Sequence, residues 1–254
     1  AAVDTRFCEW HLANPDRRVR IGNPDELRSN RMGKTLDLLK HRVLKPEQGV
    51  AESIHGSVIT ALNEEAVVNA ALGNKGGLNL VVSYEAFAMK MIGALRQEII
   101  FARHQKALGR PPGWLSVPVI ATSHLWENGK NEQSHQDSAF GEVLLGEMSD
   151  MTRVVYPADA NSAVACLDAC YQTQGQIWGM TIPKNDVVTA FTPKQAAQLA
   201  EQGALTLDKT DGAPVQLVAV GAYQLGVCQE VKRTLSKQGI QCHITYLLEP
   251  GRFR

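Results

Sequence analysis

The chain has 254 residues, 44% of them hydrophobic and 20% charged, a composition typical of a globular protein with a sizeable core. Lysine plus arginine and aspartate plus glutamate number 26 each, so the formal net charge is zero and no broad basic face for nucleic acid is expected. No apolar run approaches the roughly 20 residues that span a bilayer, and residues 1–20 lack the apolar core of a signal peptide, so no membrane partner is expected either.

The first half of the chain alternates strand and helix patterns. Residues 1–20 predict a linker with a short helix, and RVRIG predicts a short strand. SVITALNEEAVVNAALGN predicts a strand or turn that enters a helix, and LNLVVS predicts a buried strand that leads directly into a long helix. The apolar face of this long helix comprises Phe87, Met91, Leu95 and Ile99.

The second half continues this alternation. LSVPVIAT, RVVYPAD and QIWGMTIPK each predict a strand, and NSAVACLDACYQTQ predicts a helix that Asp159 or Asn161 caps. The strands are continuous apolar runs, which are typical of a parallel sheet buried on both faces. The predicted fold class is therefore α/β, with a parallel sheet flanked by helices on both faces.

The domain organisation follows from a restart of the pattern near the end of the chain. Residues 21–195 form the predicted main domain, and the polar residues 196–213 predict a linker. VQLVAVGAY, VCQEVKRTLSKQG and IQCHITYLLEP then predict a strand, a helix and a strand. We expect residues 214–254 to be the first βαβ unit of a second α/β domain.

Polar clusters follow four of the predicted strands, at residues 23–31, 83–85, 123–137 and 184–186. A single polar loop is more often only solvated. In an open parallel sheet, however, ligands bind beyond the carboxyl ends of the strands, so clusters that converge there predict a ligand site.

The side chains in these clusters favour a phosphate-bearing, polyhydroxylated ligand. Charge-assisted hydrogen bonds to phosphate oxygens are available from Ser29, Arg31, Asn131 and Lys184. His124 and His135 are able to exchange protons with hydroxyl groups near neutral pH.

The cysteines and the known short motifs add little to this prediction. None of the five cysteines forms a CxxC pair, and we expect buried reduced thiols in a cytoplasmic protein. The chain has no GxGxxG or Walker pattern, and no spacing of histidine, aspartate or glutamate indicates a metal site. We therefore expect no metal ligands in this chain.

Several segments, in chain order, together resemble a known family. They are GNPDELRSNRM, LNEEAV with SYEAF, TSHLWENGKNEQSHQD and VVYPADAN. They are similar to phosphoketolases of the thiamine-diphosphate-dependent transketolase superfamily, over about residues 12–190. The resemblance implies that this region is the family's middle, pyrimidine-binding domain and that the C-terminal domain begins after it.

The resemblance implies an activity and a set of site residues. The substrates would be xylulose 5-phosphate or fructose 6-phosphate together with inorganic phosphate, and the products acetyl phosphate and an aldose phosphate. Glu64 matches the glutamate that bonds N1′ of the thiamine diphosphate pyrimidine, Phe87 the aromatic ring that stacks on it, and His135 a histidine placed for proton transfer. The substrate and phosphate pocket would comprise Ser29, Arg31, Tyr84, Lys130, Asn131 and Lys184.

Two of these residues have simpler explanations, and other positions depart from the family pattern. Glu64 also suits the dipole of a helix start, and Phe87 also suits a core position. Lys130 stands where the family has histidine, and lysine exchanges protons less readily near neutral pH. Asn63-Glu64-Glu65 replaces serine-glutamate-histidine. A transketolase-like transfer to an aldose and a non-catalytic assembly subunit therefore remain as alternatives.

The resemblance also implies what completes the site. In this superfamily the cofactor lies between the pyrimidine-binding domain of one subunit and the diphosphate-binding domain of another, which carries the Mg²⁺ ligands. We expect the chain to need that domain, to form homodimers and to be inactive by itself, as an engineered or proteolytic piece or as one half of a split enzyme.

Overall fold

The computed structural model describes residues 1–122, 127, 135, 137–147, 150–209 and 211–253. These residues form a main unit built on an eight-stranded sheet and a small unit built on a three-stranded sheet. None of the described helices is both long enough and apolar enough to cross a membrane.

The elements alternate along the chain. In order, the main unit contains α1 (Ala2–Ala13), β1 (Val19–Asn23), α2 (Gly33–Leu39), β2 (His41–Arg42), β3 (Glu52–Ser53), β4 (Val58–Thr60), α3 (Glu64–Leu72), β5 (Leu78–Tyr84), α4 (Glu85–Ala88), a 3-10 turn (Met89–Met91), α5 (Ile92–Ala107), β6 (Val117–Thr122), α6 (Ala139–Leu145), β7 (Thr152–Val155), α7 (Ala160–Tyr171), β8 (Ile177–Thr181) and α8 (Pro193–Gln202). The small unit contains β9 (Ala204–Leu207), β10 (Val215–Ala219), α9 (Ala222–Lys237), β11 (Cys242–Leu247) and a 3-10 turn (Pro250–Phe253).

The large sheet has the strand order β3-β2-β4-β1-β5-β6-β8-β7, and its paired strands are parallel. The chain passes from β1 to one side of the sheet for β2, β3 and β4, then crosses to the other side for β5. The order reverses between β1 and β5, and such a reversal is where open α/β sheets bind ligands. The predicted parallel α/β fold is confirmed.

Helices cover both faces of the large sheet because the strand residues alternate between two cores. Leu80 and Val82 of β5 pack in a core with residues of α1, α2, α7 and α8. Val81, between them, packs in a second core with residues of α3, α5 and α6. Burial on both faces explains why the strands read as continuous apolar runs.

Two predicted irregular segments are more ordered than we expected. Most of residues 1–20 form α1, whose Asp4 carboxylate accepts hydrogen bonds from the backbone N–H groups of Lys34 and Thr35 at 2.9 and 2.8 Å. Residues 196–213, predicted to be a linker, contain most of α8 and all of β9. Although most residues of α8 are polar, Ala196, Leu199 and Ala200 form a buried face of the helix. This face packs in the core of the main unit.

The small unit contains the predicted βαβ element and one strand that the sequence did not predict. β10 and β11 are parallel, and β9 adds to β11 in the antiparallel sense. The small unit contacts the main unit through the backbone bond from Tyr156 N–H to Leu248 O, 2.9 Å, and through the rings of Phe191 and Tyr246, whose centroids lie 5.2 Å apart.

Candidate active site

The carboxyl ends of adjacent strands in the large sheet are joined by buried side chains. Asn23, the last residue of β1, donates to the carbonyl oxygen of Val82 in β5 at 2.8 Å. Thr122, the last residue of β6, donates to the side-chain oxygen of Asn30 in the segment after β1. These bonds hold the segments after β1, β5 and β6 at one edge of the sheet.

Three residues predicted for the phosphate pocket meet at this edge. The Lys184 ammonium donates to the Ser29 hydroxyl at 2.9 Å and to the Tyr84 hydroxyl at 3.2 Å. The two hydroxyls are 2.8 Å apart, and the Tyr84 hydroxyl donates to the Glu26 carboxylate at 3.0 Å. A cation and two hydroxyls therefore form one connected, partly buried group.

Arg31 lies beside this group. Its Nε donates to the backbone carbonyl oxygen of Lys184 at 3.3 Å, and its backbone is in the left-handed region, with φ of 62°. A cavity of about 210 Å³ adjoins the two residues, and its other polar lining residues include Asn30, Thr122 and Asn185. The cavity thus has cationic and hydrogen-bonding groups at its wall.

Glu64 is the first residue of α3 and is 9% exposed. The helix begins there because the Asn63 side chain accepts a hydrogen bond from the Ala66 backbone N–H at 2.9 Å. Asn63 is therefore the N-cap that fixes the start of α3 at Glu64. The Glu64 carboxylate lies 3.6 Å from the Lys90 ammonium.

The Lys90 ammonium, which lies near the Glu64 carboxylate, also contacts the ring of Phe87. The Lys90 ammonium is 5.1 Å from the centroid of the partly buried Phe87 ring. The imidazole of His135 meets the Phe87 ring edge to face at 4.9 Å between centroids and lies 6.2 Å from the Tyr84 ring. Glu64, Phe87 and His135 are thus linked to the Lys184 group through Tyr84.

Acidic side chains concentrate near Glu64. Partial burial raises the pKa of the Asp25 carboxyl, and the neighbouring carboxylates of Glu26 and Glu64 raise it further. A site with this charge favours a ligand that carries positive charge or a hydrogen-bond donor at this point.

Some predictions lie outside the described residues, namely those for Lys130, Asn131 and His124. Among the residues that are described, no group of three or more histidine, cysteine, aspartate or glutamate side chains has the arrangement of a metal site.

Sequence reasoning missed three charged residues of this region. Glu26 bonds Tyr84, Lys90 pairs with Glu64, and Glu127 accepts hydrogen bonds from the backbone of residues 184 and 185. Lys90 follows Phe87 by three residues on a helical stretch, a spacing that places both side chains on one face. Glu26 and Glu127 lie in the polar clusters 23–31 and 123–137 that the sequence predicted to line the site, but no local signal gave either residue a role of its own.

Comparison with known proteins places this arrangement in a class. A transketolase from Leishmania mexicana superposes with a TM-score of 0.76 over 98% of this chain and 34% of its own, at 14% identity. A split-gene transketolase, described as an inactive beta4 tetramer, matches with a TM-score of 0.65 over 98% of this chain and 70% of its own, at 15% identity. The fold is that of the transketolases.

The sequence comparisons identify the family within this class. The model of the D-xylulose 5-phosphate/D-fructose 6-phosphate phosphoketolase family matches residues 2–173, and the chain belongs to that family. A probable phosphoketolase from Lactococcus lactis is 29% identical over 226 residues, 85% of this chain. The chain spans 27% of the length of that relative.

Proposed function

We propose that this chain carries the pyrimidine-binding half of a phosphoketolase active site. The whole protein would cleave xylulose 5-phosphate or fructose 6-phosphate with inorganic phosphate to acetyl phosphate and an aldose phosphate. The observation that carries this proposal is the nearly buried Glu64 carboxylate at the same sheet edge as Phe87, His135 and the Lys184 group.

The side chains around Glu64 fit thiamine diphosphate. Its aminopyrimidine needs a carboxyl partner and an aromatic surface, and a nearly buried carboxylate stands here beside a partly buried phenyl ring. When bound, the cofactor supplies a nucleophilic carbon and an electron sink for cleavage of a ketose. Glu64 would bond N1′ and hold a proton there, and Phe87 would stack on the ring.

The Lys184 group would bind and orient the sugar phosphate. The ammonium and the Ser29 hydroxyl provide charge-assisted hydrogen bonds to phosphate oxygens, and Tyr84 and Arg31 lie beside them. We assign the same role to Lys130 and Asn131. His135 would move protons to and from substrate hydroxyls, the general acid–base role that histidine most often fills in enzymes.

The rest of the site would come from a further domain. We infer that a diphosphate-binding domain of the same enzyme supplies the Mg²⁺ and diphosphate ligands, that the enzyme is a cytoplasmic homodimer, and that this chain alone is inactive. The likeness to a split-gene transketolase described as an inactive tetramer supports the need for a partner.

An activity measurement on the completed site tests this function. The chain is combined with the diphosphate-binding domain, thiamine diphosphate, Mg²⁺, phosphate and each ketose phosphate, and acetyl phosphate is assayed. Glu64→Gln should lower the rate by about 10²- to 10⁴-fold, the usual range for a group that handles a proton. Glu47→Gln, at an exposed position, should leave the rate unchanged.

The other outcomes separate the alternatives. Full activity in Glu64→Gln would overturn the cofactor assignment. Formation of a longer ketose from an added aldose, without acetyl phosphate, would identify a transketolase-like transferase. Cofactor binding with neither product would identify a non-catalytic subunit.

A further inference from the structure

Glu127 joins three separate parts of the fold. It lies in the segment after β6 and is partly buried. Its Oε2 accepts a hydrogen bond from the backbone N–H of Lys184, and its Oε1 accepts one from the backbone N–H of Asn185, each at 2.8 Å. Its Oε1 also accepts a bond from the Tyr223 hydroxyl at 2.6 Å.

The geometry of these bonds distinguishes them from an ordinary surface ion pair. A surface ion pair must immobilise two long side chains and therefore contributes little to stability. Here one carboxylate spans two consecutive backbone N–H groups, which are already constrained by the chain. Hydrogen bonds to an ionised acceptor are also about twice as strong as those between neutral groups.

The third bond links the substrate pocket to the small unit. Tyr223 is the second residue of α9, whereas residues 184 and 185 follow β8 of the main unit. Burial raises the pKa of the Tyr223 phenol, and the hydrogen bond to the Glu127 carboxylate adds to this effect. The phenol therefore remains a donor at neutral pH.

Lys184 connects this arrangement to the proposed chemistry. Its backbone N–H bonds Glu127, while its ammonium bonds Ser29 and Tyr84. Its backbone carbonyl accepts from Arg31 as well. Any displacement of the backbone at residue 184 therefore moves the cation that faces the pocket.

We propose that Glu127 is a positioning residue that holds the Lys184 backbone in place and couples the small unit, through Tyr223, to the sugar phosphate pocket. The positioning of Lys184 is a structural claim in its own right. The effect of this positioning on binding of the sugar phosphate rests on the proposed function.

Hydrogen exchange on the full chain tests the structural claim without any assay of activity. In Glu127→Ala, the amides of residues 184 and 185 should exchange about ten-fold faster or more, because each loses a charge-assisted acceptor worth at least that factor. Tyr223→Phe should accelerate them less, because it leaves both backbone bonds intact. Amides of β5 and β6 should be unchanged, as should all amides in the control Glu201→Gln, at an exposed position.

Two exchange results would overturn the proposal. One is unchanged exchange at residues 184 and 185 in Glu127→Ala. The other is an equal acceleration at every amide, which would mean that Glu127 contributes only to global stability.

Kinetics of the completed enzyme test the coupling to the pocket. With the ketose phosphate as the varied substrate, Glu127→Ala should raise KM about ten-fold and change kcat less than about two-fold, because only ground-state positioning is lost. A loss confined to kcat would contradict the assigned role. If the wild-type protein forms no acetyl phosphate at all, the proposed function fails, and the exchange result still decides the role of Glu127.

Discussion

A Cβ atom placed on Gly22 would lie 2.4 Å from the backbone carbonyl oxygen of Val67, so β1 and α3 meet with almost no space between their backbones. This contact seats α3 directly against the strand that ends at the candidate site. Glu64, in the first turn of α3, owes its position at the sheet edge to this close approach.

Replacement of Gly22 by alanine should therefore destabilise the chain. The new methyl group must push α3 away from β1, and such overpacking typically costs about 1–3 kcal/mol. Urea-induced unfolding measures the change. Gly76→Ala is the matched control, since an added Cβ there has nothing within 4 Å. Equal unfolding midpoints for the two variants would mean that α3 can shift without cost.

The hydrogen bonds of Asp4 predict a second stability effect. The first turn of α2 has no side-chain cap of its own, because Met32 occupies the N-cap position, and Asp4 supplies the missing acceptor from α1. Asp4→Ala should lower the free energy of unfolding by about 1–2 kcal/mol, the usual worth of a cap. Asp16→Ala, at an exposed position outside the elements, should have little effect. If both variants have the same free energy of unfolding, α2 does not depend on this cap.

The position of Lys184 predicts a change in substrate affinity. In the completed enzyme, Lys184→Met removes the ammonium that bonds Ser29 and Tyr84 but keeps a side chain of similar length. KM for the ketose phosphate should rise roughly ten- to a hundred-fold, the worth of one hydrogen bond to a charged group. Lys194→Met, at an exposed position in α8, serves as the control. An unchanged KM would mean that the phosphate group of the ketose does not bind at Lys184.

Tyr156 predicts a pH dependence of stability. Burial raises the pKa of its phenol to about 12, and the carboxylates of Glu85 and Glu142 contribute to the rise. The unfolded chain loses this proton near pH 10, before the folded chain does, so stability should fall as the pH rises from about 10 to about 12. The effect of this one group is on the order of 3 kcal/mol.

The variant Tyr156→Phe isolates this contribution. Its unfolding free energy should fall less steeply above pH 10 than that of the wild type, because the other tyrosines titrate in both proteins. Urea unfolding at pH 8 and at pH 11 provides the comparison. Parallel slopes would show that Tyr156 titrates normally in the folded chain.

Much of the fold followed from local patterns. Apolar runs predicted the strands β5, β6, β7 and β8, and the short segment RVRIG predicted β1. The alternation of these strands with helices predicted the parallel sheet. The short strands β2 and β3 and the antiparallel strand β9 were not predicted. They are too short to carry a periodic signal, and their pairing depends on partners far away in the sequence.

The site shows the same division. The amino-acid sequence by itself determined which polar residues follow which strands, and therefore that Ser29, Tyr84 and Lys184 would lie at one edge. Only the tertiary structure decided that Lys90 faces Glu64 and that Glu127 joins residue 184 to Tyr223. The reason is physical: strand and helix periods are local properties of the chain, whereas a contact between residues 57 or 96 positions apart exists only after the sheet and the small unit have packed.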